Sequence, residues 1–187
     1  IDAFDYQSGY ASQLQTNAVL RDSSAWYHIV YSWDTTLATA NDRQKIYINS
    51  VEQTYSTRTN YSQNAATSWN ANSYSMRVGA LNSSSYFSGL ETQVIFSDGL
   101  QLTPSTFGSV NATSGIWVGN TSPTVTYGNN GFNLDFANSS DMGNDVSGNA
   151  NDFTPSGTLT QAKDCSDNNF ATLNPLYVIN TGQMPTL

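Results

Sequence analysis

The sequence is poor in charged residues, and most of those it has are acidic. Only 11% of its 187 residues are charged, and 14 Asp and Glu outnumber 6 Lys and Arg, so that the formal net charge is −8 at pH 7. Proteins that bind nucleic acid need clustered Lys and Arg side chains to neutralise phosphates, and proteins that bind anionic membrane surfaces need them too. The charge balance therefore argues against both kinds of partner.

Cysteine and histidine occur once each, as Cys165 and His28. A single cysteine excludes an intramolecular disulfide, so stability must come from packing. A single histidine excludes a histidine-rich zinc site, and the position of His28 among apolar neighbours indicates a packing role. No run of residues is apolar enough to span a bilayer, so we expect no membrane insertion. Because the chain opens on Ile1 without a signal peptide, we expect a piece of a longer polypeptide or a processed product.

Glutamate is also scarce, since only Glu52 and Glu91 are present. Retaining glycosidases need two carboxylates held about 5 Å apart, usually on Glu residues, and the sequence has no E-x-D-x-E arrangement. The G-x-S-x-G signature of serine hydrolases is missing as well. We therefore predict that the chain is not an enzyme; a polysaccharide-degrading enzyme is the alternative that a reducing-sugar assay would test.

The sequence is instead rich in aromatic residues, which stand among polar uncharged ones. It contains 4 Trp, 11 Tyr and 8 Phe. Helical periodicity is nearly absent, while short alternating runs of β-branched and aromatic residues recur between clusters of Gly, Asn, Asp and Ser. This pattern predicts an all-β fold with little helix. The length suits one sandwich or barrel domain.

The clearest predicted strand covers residues 26–33, and because both of its faces are apolar we expect a central strand covered on both sides. Asn49 and Ser50 stand where a hairpin turn is expected between a strand over 45–49 and its partner over 51–57. Thr103 and Pro104 suit the start of a single helical turn. Further strands are predicted over 74–81, 90–96, 131–136 and 153–160.

Residues from about 20 to 107 resemble laminin-G-like domains of the concanavalin-A-like class. The resemblance lies in the order and spacing of several short motifs, with Ser50 replacing the usual Gly of the hairpin and Gln93 standing near a position where an acid is common. It implies an antiparallel jelly-roll β-sandwich. The motifs are at 26–30, 33–34, 45–49, 78–79, 87–90 and 93–96.

A second block, at 131–136, 144–154 and 168–176, resembles a module of marine bacteriophage virion proteins such as tail fibres and capsid appendages. We interpret residues 1–130 as the laminin-G-like sandwich. Residues 131–163 either supply strands that close the sandwich, in a permuted order, or begin a second unit. We interpret 164–187 as an extended tail or linker.

The acidic segment 138–152 is predicted to be a loop and a candidate calcium site. Asp141, Asp145, Asn149 and Asp152 offer oxygen ligands at short spacing, as calcium requires, although the spacing does not fit an EF-hand. The alternative is that these Asp and Asn side chains cap their own turns by accepting hydrogen bonds from nearby backbone N–H groups.

A long polar loop that precedes the predicted strand at 74–81 is a candidate sugar site. Lectin-like sites stack an aromatic ring on a sugar and surround it with amide groups, and Tyr61, Trp69, Asn70 and Tyr74 have that chemistry, with Tyr86 on a turn that would join them. The alternative is that Trp69 pins the loop to the sandwich. The negative net charge favours neutral or cationic glycans over acidic ones.

Taken with the resemblance, these features predict a virion structural module with a lectin-like binding surface, located on a tail fibre, spike or capsid decoration. The expected partners are other virion proteins or copies of the chain itself, as a trimer if it forms a fibre, and a host surface glycan. The alternative is a free secreted glycan-binding lectin module that depends on calcium.

Overall fold

The computed structural model describes residues 1–7, 10–69, 71, 75–81 and 84–162. Regular structure in these residues is almost entirely β, which confirms the prediction of an all-β fold with little helix; the helical content is two 3-10 turns, at Ala40–Asp42 and Pro104–Thr106. The strands are β1 (Asp2–Tyr6), β2 (Tyr10–Thr16), β3 (Ile29–Trp33), β4 (Gln44–Ile48), β5 (Val51–Glu52), β6 (Tyr55–Thr59), β7 (Val94–Phe96), β8 (Gly108–Val110), β9 (Trp117–Gly119) and β10 (Phe132–Leu134).

These strands form small antiparallel sheets. Two sheets have three strands, in the orders β1-β2-β6 and β3-β4-β5, and two are strand pairs, β7 with β10 and β8 with β9. The pairing of β7 with β10 aligns Phe96 with Phe132 and Val94 with Leu134. Backbone hydrogen bonds therefore join the block after Gly131 directly to the segment that precedes residue 100.

The predicted hairpin turn forms between β4 and β5, but the partner strand is shorter than the predicted 51–57, because only Val51–Glu52 of that range pairs with β4 and β6 pairs with β2 instead. Asn49 and Ser50 both have positive φ, 48° and 71°, as a two-residue type I′ turn requires. The backbone N–H and the side-chain oxygen of Asn49 also bond the backbone of His28, at 2.9 Å each. The turn therefore holds the chain just before β3 as well as connecting its own two strands.

Strand β3 differs from its prediction in length and in position. It begins at Ile29 rather than residue 26, and it lies at the edge of its sheet, because within the described residues only β4 pairs with it. The expectation of a central strand is therefore wrong in this structure. Both faces of β3 are apolar for another reason: Val30 is buried on one side, while Tyr31 and Trp33 join a ring cluster on the other.

Local backbone geometry shortens or removes other predicted strands. Gln93 has a φ of 50° and Phe136 a φ of 53°, so neither continues an extended strand, and β7 and β10 are limited to three residues each. No strand forms at 75–81 or 153–160, apart from one bridge between Ala80 and Tyr86. The predicted helical turn is present as the 3-10 turn at Pro104–Thr106.

The buried apolar core is small and lies beside β2, β4 and β10. Arg43 is buried next to it and donates to three backbone carbonyls, those of Leu37, Ala38 and Tyr61, at 2.7–2.9 Å. Because a buried guanidinium must have its N–H groups bonded, Arg43 fixes the loop before β4 and the start of the loop after β6. The core side chains are Leu14, Val30, Ile46, Ile48, Tyr61, Phe132 and Leu134.

A chain of aromatic contacts connects the sheets. Starting from Trp33 on β3, ring centroids are 6.0 Å apart to Phe96 on β7, then 5.8 Å to Phe132 on β10, and then 4.7 Å to Phe153. Such offset and edge-on ring pairs stabilise by about 0.5–1.5 kcal/mol each beyond the burial of their surface. These rings therefore connect β3 to the β7–β10 pair and the β7–β10 pair to Phe153, as well as packing across that pair.

Candidate functional site

A cleft of about 1510 Å³ lies between β3 and the segment that runs from Phe87 to Leu102. Tyr31 and Trp33 of the edge strand β3 line this cleft, together with aromatic residues from the segments before and after it. We refer to this feature as the aromatic cleft. Its half-buried rings are those of Trp26, Tyr27, Tyr31, Trp33, Trp69 and Phe96.

One end of the aromatic cleft is held by a buried hydrogen-bond network. Trp69 packs against Trp33 with ring centroids 5.5 Å apart, and its indole Nε1 donates to the hydroxyl of Tyr61 at 3.1 Å. That hydroxyl in turn donates to Asp5 Oδ2 at 3.1 Å. Asp5, only 1% exposed, also accepts from the backbone N–H of Ser68 at 2.9 Å and from its hydroxyl.

The network fixes both the position and the protonation of its tyrosine. Burial raises the pKa of Tyr61 to about 12, and burial likewise raises the pKa of the neighbouring Tyr31 well above its usual range. Both phenols therefore stay neutral and act as hydrogen-bond donors. Tyr31 donates to Gln44 Oε1 at 3.1 Å.

The other end of the aromatic cleft is a ring stack with little hydrogen bonding. The rings of His28 and Trp117 lie 3.9 Å apart and 11° from parallel, and Phe107 is 5.9 Å from His28. Burial lowers the pKa of His28 to about 4, so the imidazole is neutral near pH 7. In the described part of the chain, neither His28 Nδ1 nor Trp117 Nε1 has a hydrogen-bond partner.

The charges that line the aromatic cleft are all carboxylates, on Asp22, Asp34, Glu91 and Asp98, and no described Lys or Arg lines it. Three of the four are bonded by nearby protein groups: Asp22 accepts from Ser24, Asp34 from Thr36 and Asp98 from Asn130. The hydroxyl and backbone N–H of Ser24 also lower the pKa of Asp22. The pKa of Glu91 shifts in the opposite direction, because desolvation raises it.

The structure separates the residues that were predicted to bind sugar. Trp69 lines the aromatic cleft, whereas Tyr61 is only 1% exposed, so its ring is not accessible to a sugar in this structure. Tyr86 is 70% exposed and is not part of the cleft wall. Asn70 and Tyr74 lie outside the described residues. The alternative for Trp69, that it pins its loop, agrees with its bond to Tyr61.

The acidic loop is organised by hydrogen bonds from its own backbone. Asp145 accepts from the N–H groups of Asn133, Ser147 and Asn151 at 2.8–2.9 Å. Burial acts to raise the pKa of Asp145, but these donors outweigh it and the net pKa is lowered. Asp152 accepts from the N–H of Asp145 at 2.9 Å. Asp145 and Asp152 therefore accept hydrogen bonds from nearby backbone N–H groups, as the turn-capping interpretation predicts.

The remaining predicted calcium ligands do not complete a binding site. The side-chain amide of Asn149 donates to the carbonyls of Gly128 and Gly131 at 2.7 and 2.9 Å, and Asp141 lies on an exposed turn. Across the described ranges, no group of three or more His, Cys, Asp and Glu side chains is arranged to hold a metal ion. The structure therefore gives no ligand set for the predicted calcium.

Sequence reasoning missed several residues of the aromatic cleft. Tyr27 and Trp117 belong to its wall, yet the first was assigned to a covered strand and the second to no element. Glu91 was considered only as one half of a missing catalytic pair. Gly115 was the available sequence signal for Trp117, because a glycine between two short strands indicates a turn. In the structure Gly115 has a φ of 69° and lies in the hairpin between β8 and β9.

Within the part of the chain that the structure describes, no helix has the length and apolar character needed to cross a bilayer.

Comparison with known proteins leaves the family open. No protein-family model matches the chain, and no curated protein or solved structure matches it significantly. The resemblance to laminin-G-like domains therefore stays a prediction.

Proposed function

We propose that this chain is a glycan-binding β-domain and that the aromatic cleft is its binding surface. The observation that supports this most is the row of half-buried aromatic rings along one side of a large open cleft. Aromatic faces stack on the C–H faces of sugar rings, and a few polar groups at the same wall then fix the orientation of the ligand. Asn49, Gln93 and Gln101 line the same wall, and since only one end of each side-chain amide is bonded within the described residues, the other end can orient a ligand.

The rings at one end of the cleft are held in place before any ligand arrives. Trp33 is packed between Tyr31, Trp69 and Phe96, and Trp69 is held through its indole N–H by Tyr61. Side chains that are already fixed lose little conformational entropy on binding. A preorganised stacking surface of this kind suits a ligand with repeated flat faces, such as an oligosaccharide.

Binding without cleavage is the activity that we propose. Glu91 is the one glutamate in the cleft wall, and the three aspartates there are engaged by Ser24, Thr36 and Asn130. A glycosidase needs one carboxyl as acid and a second as nucleophile or base, and these bonded aspartates are poor candidates for the second role. Release of reducing ends from a bound polysaccharide would contradict this part of the proposal.

For the fold, we propose that the small sheets are parts of an antiparallel jelly-roll sandwich of the laminin-G-like, concanavalin-A-like type. The order of the motifs between residues 20 and 107 supports this. The pairing of β7 with β10 and the ring contacts from Trp33 to Phe132 support it too, because they join distant segments into one core.

For the biological setting, we propose a virion appendage, such as a tail fibre, spike or capsid decoration, that attaches to a host glycan. Support comes from the resemblance of the block at 131–176 to marine bacteriophage virion proteins. We expect homo-oligomers, with a trimer if the protein forms a fibre. Light scattering on the purified chain and immunolabelling of particles test this; a monomer that associates with no particle would contradict it.

The direct test of glycan binding is a glycan array read with and without a calcium chelator. We expect binding to neutral or amine-bearing glycans, and because the structure gives no calcium ligand set we expect the chelator to change neither binding nor the melting temperature. An array on which no glycan binds would contradict the proposed function. Binding that is lost with chelator would restore the calcium-dependent lectin alternative.

A further inference from the structure

In the part of the chain that the structure describes, Glu91 is the one carboxylate of the aromatic cleft without a protein partner. Among the described residues, no side chain or backbone group forms a hydrogen bond or ion pair with it. Its carboxylate lies over the backbone of Gly79, where an added Cβ would stand 3.6 Å from Oε2. A carboxylate whose oxygens are unbonded gains more from a ligand donor than one whose oxygens are already occupied.

The charge of the surrounding wall selects the kind of donor. Asp22, Asp34 and Asp98 add negative charge along the same cleft, and no described Lys or Arg balances it there. A wall of one sign raises the local concentration of opposite charges and repels like charges. An acidic sugar polymer would therefore be repelled, whereas a protonated amine would be attracted both by the carboxylates and by the faces of the aromatic rings.

We infer that the aromatic cleft prefers amine-bearing glycans, and that Glu91 is the residue that binds the sugar amine. This inference rests on the proposed function, since it assigns a ligand class to the same cleft. The rings bind the sugar faces, and the Glu91 carboxylate accepts a charge-assisted hydrogen bond from the ammonium group. Neutral glycans then bind through the rings alone, and more weakly.

The experiment compares two ligands that differ only in charge. Isothermal titration calorimetry at about pH 6, below the ordinary pKa of an amine, measures a glucosamine oligosaccharide and its N-acetylated counterpart of the same length. The variants are Glu91→Gln, which keeps the shape of the side chain, and Glu52→Gln as the matched control. Glu52 is the other glutamate of the chain; it lies on β5 near Lys45 and outside the cleft.

We expect the glucosamine oligosaccharide to bind about tenfold more tightly than its acetylated counterpart, as one charge-assisted hydrogen bond allows. Glu91→Gln should remove that difference and leave binding of the acetylated ligand within about twofold of wild type. Glu52→Gln should leave both affinities unchanged. A thermal melt of each variant checks that the fold is intact.

Other outcomes overturn the inference in distinguishable ways. Equal binding of the two oligosaccharides would remove the amine preference while leaving the proposed glycan function in place. The same loss in Glu52→Gln as in Glu91→Gln would exclude Glu91 as the contact. If oligolysine binds as tightly as the glucosamine ligand and depends equally on Glu91, the cleft recognises basic peptides rather than sugar. Binding of none of the oligosaccharides would remove the proposed function itself.

Discussion

The two ends of the aromatic cleft use the same kinds of side chain in opposite ways. At one end, Trp69 is tied through Tyr61 to the buried carboxylate of Asp5, and each polar atom of that series has a partner. At the other, His28 and Trp117 stack face to face, and within the described residues a ring nitrogen of each is unbonded. From this difference we infer that the hydrogen bonds behind the rings, more than the aromatic packing, decide which end is rigid. We expect the Asp5 end to be fixed and the His28 end to be adjustable.

The largest effect is expected at the fixed end, from Asp5→Ala. This change removes the acceptor for the Tyr61 hydroxyl and for both donors of Ser68, and leaves buried donors without partners. We expect the free energy of unfolding to fall by about 3 kcal/mol or more in chemical denaturation. Asp2→Ala on the same strand is the control; its carboxylate is exposed and, among the described residues, bonds Gln13 alone, so we expect a change of about 0.5 kcal/mol or less.

The adjustable end should carry a pH dependence of stability. The pKa of His28 is about 4 in the folded chain, against an ordinary value of 6.5, so the unfolded chain takes up its proton first. The contribution of His28 is therefore fully present above about pH 6.5 and is lost as the pH falls towards about 4. Because the ring is partly exposed, we expect a loss of at most about 2 kcal/mol.

The control for this titration is His28→Phe, which keeps a ring in the stack and removes the titrating group. Denaturation midpoints of wild type and variant, measured across that pH range, should diverge as the pH falls because only the wild type loses stability through His28. Parallel pH profiles would show that His28 is not desolvated and that the His28 end of the cleft contributes no pH dependence of stability.

A matched pair of tryptophan variants compares the two ends directly. Trp69→Phe deletes an indole N–H that donates to Tyr61, whereas Trp117→Phe deletes one that is unbonded within the described residues. Since both changes remove the same atoms, we expect Trp69→Phe to be more destabilising by about 1 kcal/mol in thermal or chemical unfolding. Equal costs would mean that the bond to Tyr61 contributes nothing.

The smallest effect is expected at the turn behind His28. Ser50 has a φ of 71°, where a residue with a Cβ is strained and Gly is not. Ser50→Gly should therefore stabilise the hairpin by about 0.5 kcal/mol and with it the Asn49 contacts to the His28 backbone. A lower melting temperature in this variant would show that the turn is not strained.

Local chemistry made part of the fold predictable. The hairpin around Asn49 and Ser50 follows from turn residues between two β-branched runs, and the 3-10 turn follows from Thr103 and Pro104. Strands β1 and β2 were missed because they are rich in polar residues and are defined by pairing with each other and with β6. The backbone reversal at Gln93, which shortens β7, leaves no mark in the pattern of side chains.

The site was harder to predict than the fold. Tyr61 and Trp69 were grouped because they share a loop, but the first is buried as a hydrogen-bond relay and the second borders the cleft. Glu91 and Trp117 face the cleft through contacts between segments far apart in sequence, which periodicity does not report. The acidic loop was recognised, and its hydrogen bonds at Asp145 and Asp152 favour the simpler of the two interpretations offered for it.

One measurement tests the central claim, that the aromatic cleft binds glycan, most directly. Calorimetric titration with a glycan identified on the array should be compared for Tyr27→Ala, whose ring lines the cleft, and Tyr86→Ala, whose ring is exposed outside it. Loss of one stacked ring should weaken binding about tenfold or more in Tyr27→Ala, while Tyr86→Ala binds like wild type. Unchanged binding in Tyr27→Ala, or an equal loss in Tyr86→Ala, would place the sugar elsewhere and contradict the account.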